Sequence, residues 1–96
     1  MAVSDPGLLV LISLASGPRH GHAMLLDIDR FAGTRLGPGT LYGAITRLED
    51  GGLIEPLAAE ARRRPYRLTD AGRRELAGRL NELHRTVATG LDRVRA

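Results

Sequence analysis

Glycine and proline punctuate the first half of this 96-residue chain and confine its apolar residues to short segments. Gly17 and Pro18 end a first segment, Gly33 ends a second, and Gly51 with Gly52 ends a third. Both residue types disfavour a continuing helix, and glycine is favoured just after a helix end. The sequence therefore predicts three short helices in succession.

The apolar residues of these segments recur at helical spacing. The first helix is predicted to start at Ser4-Asp5-Pro6, the second at His20-Gly21-His22, and the third at Pro38 after a Thr34–Gly37 connector. Two helices joined by a short turn indicate a helix-turn-helix. The predicted inward residues are Leu8, Leu9, Leu11, Ile12 and Leu14, then Met24, Leu25, Ile28 and Phe31 or Ala32, then Leu41, Ala44, Ile45 and Leu48. The predicted solvent-facing residues of the second helix are Asp27, Asp29 and Arg30.

A hairpin and a long helix are predicted to follow. Leu53–Leu57 and Pro65–Leu68 have the composition of strands, with a loop over Ala58–Arg64, although the alanine-rich start of that loop leaves a helical turn open. Thr69-Asp70 caps a last helix of about 40 Å. The predicted fold class is therefore mostly α with a small β-hairpin (α+β), a winged helix-turn-helix followed by a long C-terminal helix.

The last helix carries an apolar seam at near-heptad spacing. A chain of this length supports a single core with a net stability of roughly a few kcal/mol, so burial against a second copy would add stability. Residues 1–68 are predicted to form the DNA-binding part and residues 69–96 the dimerisation helix of one continuous domain. The candidate homodimer residues are Leu8, Leu76, Leu80, Leu83, Val87, Leu91 and Val94.

The outward face of the third helix has the composition of a groove-reading surface. Hydroxyls, small residues and one arginine suit close approach to the major groove of double-stranded DNA, although an ordinary amphipathic surface helix has a similar pattern. The N–H groups of Gly39, Thr40 and Leu41 could also cradle a phosphate. The candidate DNA-contacting residues are Gly39, Thr40, Tyr42, Gly43, Thr46 and Arg47.

Arginine supplies all fourteen basic residues, which give a net charge of +3 against eleven acids. Its guanidinium group pairs well with phosphate, so the balance favours a polyanionic partner. Four arginines lie in or beside the hairpin loop, namely Arg62, Arg63, Arg64 and Arg67. A phosphate backbone or a narrow minor groove would relieve their mutual repulsion, whereas a solvated charge run is the alternative.

Other functions have little support in the sequence. The chain has no cysteine, which excludes disulfides and cysteine-ligated zinc and fits a reducing compartment. The stretch Met1–Ser16 has no basic leader and is too short to cross a bilayer, so the protein is predicted to be cytoplasmic without a membrane partner. No catalytic constellation or cofactor motif is present, so no enzymatic activity and no cofactor are predicted.

The histidines are predicted to have structural roles. A metal site or a small metal-dependent enzyme built on His20 and His22 is a remote alternative, because no further ligand stands at a recognised spacing. His20 is predicted to act in the turn and as a cap, His22 to be partly buried, and His84 to be exposed or interfacial.

An ordered set of short motifs resembles the PadR family of transcriptional regulators. The resemblance spans nearly the whole chain. Its motifs are Leu8-Leu9-Val10-Leu11, Gly17-Pro18-Arg19-His20-Gly21, Gly37-Pro38-Gly39-Thr40-Leu41-Tyr42, Arg47-Leu48-Glu49, Gly52-Leu53-Ile54 and Arg64-Pro65-Tyr66-Arg67-Leu68-Thr69-Asp70-Ala71-Gly72.

This resemblance implies a homodimeric regulator, usually a repressor that binds a palindromic operator and is released by a small molecule. It maps the DNA-contacting helix to Gly37–Leu48, with Thr40 and Tyr42 at phosphate or groove contacts, and the wing to Arg62–Arg67. The family often has tyrosine where this chain has His22. A winged helix that binds another protein and not DNA stays open as the alternative.

Overall fold

The computed structural model describes residues 5–96 as four helices and one small sheet. This order confirms the predicted fold class, and Ser4 of the predicted first helix start lies outside the described residues. The elements are α1 (Pro6–Leu14), β1 (Arg19–His20), α2 (Gly21–Ala32), α3 (Pro38–Asp50), β2 (Ile54–Pro56), β3 (Pro65–Leu68) and α4 (Asp70–Arg95).

Side-chain caps set the starts of three helices. The Asp5 carboxylate accepts the Gly7 N–H at 3.0 Å, and the Thr69 hydroxyl accepts the Gly72 N–H at 3.0 Å. His20 Nδ1 accepts the Ala23 N–H at 3.3 Å, which confirms the predicted capping role of His20. Each cap provides an acceptor for a backbone donor that the helix itself leaves unpaired.

The sheet has three antiparallel strands in the order β1-β3-β2. β2 pairs with β3 as a hairpin, with Ile54 opposite Leu68. β1 pairs with the other edge of β3 and was not predicted, because a strand of two residues has no detectable periodicity. Residues 57–64 form a loop without a helical turn, so the helical alternative there is wrong.

The core lies where α1 meets α2, α3 and the sheet, and α1 is buried on most of its surface. All four predicted inward residues of α3 are buried. In the first two helices Ile12 and Leu25 are only half-buried, and Phe31 is 44% exposed. The buried apolar residues are Leu8, Leu9, Val10, Leu11, Leu14, Met24, Ile28, Leu41, Ala44, Ile45, Leu48, Ile54 and Leu76.

A polar network joins α1, β1 and α2 beside this core. The buried Ser13 hydroxyl donates to the Asp27 carboxylate at 2.8 Å, and Arg19 lies 3.9 Å from the same carboxylate. Arg19 also donates to the Ser13 carbonyl and, at 3.0 Å, to the Ser16 hydroxyl. The prediction that Asp27 faces solvent is therefore wrong, because Asp27 accepts the hydrogen bond that a buried hydroxyl requires.

The first turn of α4 lies directly against the chain that enters the hairpin. The Thr69 N–H donates to the Leu53 carbonyl at 3.1 Å, and its hydroxyl donates to the Gly52 carbonyl at 2.6 Å. A Cβ atom on Gly72 would overlap the Leu53 carbonyl oxygen, so only glycine fits there without a backbone shift. This close contact fixes where the long helix leaves the domain.

Replacing Gly72 with alanine is expected to lower the free energy of unfolding by about 1–3 kcal/mol, because the new methyl group meets rigid backbone. Gly78→Ala in the same helix is the matched control, since open space surrounds that position. The control is expected to raise stability by about 0.5–1 kcal/mol through helix propensity. Urea unfolding followed by helical circular dichroism, at one protein concentration, measures both variants. Equal stability of the two would contradict the predicted clash.

Candidate nucleic-acid interface

The predicted DNA-contacting residues of the third helix share one side of α3. Its buried residues all point to the opposite side, into the core. Gly43 is half-buried. The exposed residues of the predicted set are Gly39, Thr40, Tyr42, Thr46 and Arg47.

Gly39 and Gly43 leave the middle of this surface without protruding side chains. No other atom lies within 4 Å of the place where a Cβ on Gly39 would stand, and at Gly43 the nearest atom is Nη1 of Arg47 at 3.4 Å. The Arg47 guanidinium therefore extends along the face of the helix. The Thr46 hydroxyl donates to the Tyr42 carbonyl at 2.9 Å and keeps its lone pairs for an incoming donor. The surface offers both hydrogen-bonding directions and room for a base edge.

The N-terminal end of α3 is the end that suits an anion. Gly37 makes no side-chain cap, so the N–H groups of Gly39 and Thr40 precede the first helical hydrogen bond. The Leu41 N–H donates to the Gly37 carbonyl at 3.0 Å, so the prediction that it could bind a phosphate is wrong. The other end of the helix carries the exposed acids Glu49 and Asp50, which phosphates would repel.

The four arginines of the hairpin have different neighbours. Arg67 forms an ion pair with Glu55 across the strands, and Arg64 donates to the Leu57 carbonyl at 2.7 Å. Among residues 5–96, neither Arg62 nor Arg63 has an acidic partner within ion-pair distance. Arg64 and Arg67 therefore have partners within the hairpin, whereas the charges of Arg62 and Arg63 are not compensated by an acid in this part of the chain.

A tight turn presents these two charges at the hairpin tip. Glu60 and Arg63 exchange two backbone hydrogen bonds of 2.8 and 3.0 Å. Between them Ala61 has a φ of 56°, a left-handed conformation that costs a non-glycine residue roughly 1–2 kcal/mol. The turn holds Arg62 beyond the last cross-strand hydrogen bonds, where it is exposed.

A cleft separates this tip from α3. Tyr42 packs so closely over Gly21 that a Cβ there would overlap its hydroxyl. The prediction that His22 is partly buried is wrong, because the start of α2 leaves its side chain exposed. The cleft has a volume of about 250 Å³ and is lined by His20, Gly21, His22, Tyr42, Arg62, Arg63, Arg64 and Tyr66.

Sequence reasoning missed His20 and Tyr66 as parts of this surface. Tyr66 lies in β3, opposite Arg19 of β1. Burial raises the pKa of Tyr66 above its ordinary value of 10.0, the charges of Glu49 and Tyr42 raise it further, and the charge of Arg64 opposes them. The single signal that could have indicated these residues is their place in the motifs that carry the family resemblance.

The part of the chain that the structure describes contains neither a metal-binding cluster nor a membrane-spanning helix. No three histidine, aspartate or glutamate side chains of residues 5–96 lie together as a metal site would require. Over the same residues, each helix is too short or too polar to cross a membrane.

Residues 9–78 match the family described as the PadR-like transcriptional regulators. The chain belongs to the PadR family. Members of this family regulate transcription and are not enzymes. The match begins within α1 and ends within α4, so it includes the helix-turn-helix, the hairpin and the helix that follows.

The chain is also similar to two curated proteins in sequence and to a solved structure in fold. The chain is 51% identical over 73 residues to an uncharacterized 37.1 kDa protein in transposon TN4556 of Streptomyces fradiae, covering 76% of this chain and 21% of that protein. It is 39% identical over 89 residues to the transcriptional regulator Rv3488 of Mycobacterium tuberculosis, covering 86% and 82%. A PadR family transcription regulator of Clostridium difficile has the same fold, with a TM-score of 0.80, 21% identity and coverage of 95% and 98%.

The chain spans a minor part of several relatives. Besides 21% of the Streptomyces protein, it covers 36% and 34% of two proteins named transcriptional activators, from Haloferax mediterranei and Halobacterium salinarum. Most of each of those longer proteins has no counterpart in this PadR family chain.

The pKa of Tyr66 provides a test of how the cleft is built. In a Tyr42→Phe background Tyr66 is the only tyrosine, and its near-ultraviolet absorbance is expected to titrate above 10.0. Adding Glu49→Gln should lower that pKa, because a negative charge is removed, whereas Asp50→Asn serves as the control. The stability that neutral Tyr66 contributes is complete below about pH 10 and is lost as the pH rises through the raised pKa. If Glu49→Gln does not change the titration midpoint of Tyr66, the described position of Glu49 relative to Tyr66 is contradicted.

Proposed function

We propose that this PadR family protein is a sequence-specific DNA-binding transcriptional regulator that acts as a homodimer on a palindromic operator. One observation carries the proposal. The exposed face of α3, with its glycines, threonines and Arg47, lies beside a hairpin tip at which Arg62 and Arg63 have no acidic partner among residues 5–96. Guanidinium groups without an acidic partner attract the phosphate backbone of a duplex, and a helix face with small side chains can enter the major groove beside it.

Each candidate residue has a role that follows from its surroundings. In this proposal Thr46 and Arg47 contact base edges, and Gly39 and Gly43 allow α3 to approach them in the major groove. Thr40 and Tyr42 bind phosphates at the rim of the same groove. Arg62 and Arg63 contact the backbone or the minor groove, while Arg64 and Arg67 act mainly by holding the hairpin.

The homodimer is supported by an apolar surface that one chain leaves uncovered. Leu8 and Leu76 of the predicted seam are each only 5% exposed and belong to the core of this chain, which leaves them little surface for a partner. Phe31 extends the surface at the end of α2. The exposed seam residues are Leu80, Leu83, Val87, Leu91 and Val94.

A cleft at the root of this seam fits an apolar helix of the second copy. It has a volume of about 340 Å³ and lies between α1, the end of α2 and α4. Pairing about a two-fold axis would present two recognition helices to successive major grooves, which are roughly 34 Å apart. The cleft is lined by Leu8, Leu9, Ile12, Phe31, Ala32, Leu80 and Leu83.

Repression and release by a small-molecule effector complete the proposal, as the family resemblance implies. The two haloarchaeal relatives are named activators, so the sign of regulation needs a direct test. A reporter gene behind the selected operator, with and without this protein, measures it. A cytoplasmic location stays a prediction.

Binding-site selection from random-sequence DNA tests the main claim. A DNA-binding regulator is expected to enrich a palindromic duplex and to retain that duplex in gel-shift assays against excess unrelated DNA. The alternative, a winged helix that binds another protein, predicts only weak retention that salt abolishes without sequence preference.

Arg63→Ala is expected to weaken binding to all duplexes and to reduce the slope of log affinity against log salt by about two, because each of the two subunits loses one phosphate contact. Arg85→Ala removes the same charge from the opposite side of α4 from the apolar seam and should leave the slope unchanged. Arg47→Ala should instead change the preferred base at one position. An unchanged slope for Arg63→Ala would remove the wing from the interface.

Val87→Glu is expected to convert the dimer to monomer at micromolar concentration, because a carboxylate would be buried without a partner in the apolar interface. Val87 is 55% exposed within one chain, so its replacement should not unfold the subunit. Thr89→Glu, on the opposite side of α4, is the matched control. Analytical ultracentrifugation that finds Val87→Glu as dimeric as Thr89→Glu would contradict the proposed seam.

A further inference from the structure

His20 faces a hydrogen-bond donor on each side of its ring. Nδ1 lies 3.3 Å from the backbone nitrogen of Ala23, and Nε2 lies 3.4 Å from Nη1 of Arg63. A backbone N–H and a guanidinium group can only donate, and a neutral imidazole has a single acceptor nitrogen. His20 can therefore accept one of these two hydrogen bonds and not both.

The helix start decides which one His20 accepts. The Ala23 N–H is fixed in the first turn of α2 and its contact is partly buried, whereas Arg63 is an exposed side chain that can turn. Without the Nδ1 acceptor, a backbone donor at the helix start would stay unpaired. Nδ1 is therefore the acceptor, and Nε2 carries the proton. The Nε2–H of His20 and the N–H of Arg63 then lie side by side as two donors.

These donors lie at a cleft that is rich in donors and poor in acceptors. The tyrosine hydroxyl of Tyr42 and the guanidinium of Arg62 line the same 250 Å³ space, and its lining contains no carboxylate among residues 5–96. Glu60 lines the wider cleft of about 630 Å³ that shares His20, Arg62 and Arg63 with it. An oxyanion with several acceptor atoms would satisfy both donors at once.

We propose that this cleft binds one phosphodiester group of the DNA backbone, with His20 and Arg63 donating to the same phosphate. The inference rests on the proposed function and extends it, because His20 belongs to neither the recognition helix nor the wing. Tyr42 belongs both to the exposed face of α3 and to the lining of the cleft. A DNA strand that runs along α3 would therefore reach the cleft.

His20→Asn separates the donor from the cap. Asparagine is a good N-cap, so its side-chain oxygen can still accept the Ala23 N–H, while its shorter amide group does not reach the position of the Nε2 donor. The affinity for the duplex enriched from random DNA is expected to fall about a hundredfold, because each of the two subunits loses one hydrogen bond to a charged acceptor and each loss costs about tenfold. The salt slope and the unfolding midpoint should stay as in the unaltered protein. His84→Asn, on the exposed surface of α4, is the matched control.

A double variant tests whether the two donors share one phosphate. The double variant His20→Asn with Arg63→Ala should lose less duplex affinity than the product of the two single-variant losses. Once one donor is removed, the phosphate is no longer held where the other donor can bind it well. If the Arg63 variant binds weakly but His20→Asn binds like the unaltered protein, this inference is overturned and DNA binding stands. If the unaltered protein binds no duplex, the proposed function itself fails.

Nitrogen NMR of the His20 ring gives a readout that does not depend on affinity. The free protein is expected to carry the proton on Nε2, and addition of the duplex should shift that resonance. Inorganic phosphate at the same ionic strength should leave it in place. A proton on Nδ1 would overturn the inference, and so would a shift that inorganic phosphate causes and the duplex does not, because the cleft would then bind a free phosphate ligand.

Discussion

Antiparallel pairing of β1 with β3 is the interaction on which the arrangement of the interface depends. Two residues, Arg19 and His20, add a third strand to the hairpin by lying opposite Tyr66 and Pro65. Because α2 begins at the next residue, this pairing places the start of that helix beside the loop that carries the arginines. The Ser13, Asp27 and Arg19 network holds the same strand against α1 and α2. The exposed face of α3, the hairpin tip and the cleft between them are therefore parts of one unit and not separate projections.

The four arginines of the hairpin fall into two pairs with different surroundings. Arg67 and Arg64 have acceptors within the hairpin, whereas Arg62 and Arg63 stand at a turn that strains Ala61 to present them. An exposed ion pair contributes little to stability, so the contact of Arg67 with Glu55 matters more for the direction of the strands than for the free energy of folding. The partner of Arg64 is an uncharged backbone carbonyl. The two remaining guanidinium groups keep their full electrostatic attraction for a polyanion.

Stability and assembly are linked by the long helix. Its first turns belong to the core through Gly72 and Leu76, and beyond them every residue from Leu80 onward is exposed. A core of this size has little stability to spare, and burial of the apolar seam against a partner would add to it. In the proposed dimer the same contact would set the spacing between the two recognition helices, so folding and operator geometry would depend on one surface.

The sequence by itself determined the features that are local along the chain. Caps, glycine stops and helical periodicity predicted the starts of α2, α3 and α4, the ends of α2 and α3 and the buried side of α3, and strand composition predicted the hairpin. Each of these features depends on residues that are close together in the chain. Only the tertiary structure decided the pairing of β1, the partial burial of Asp27, the exposure of His22 and the place of Leu8 and Leu76 within one core. It also decided which of four similar arginines have partners. These outcomes depend on contacts between residues far apart in the chain, and periodicity carries no information about such contacts.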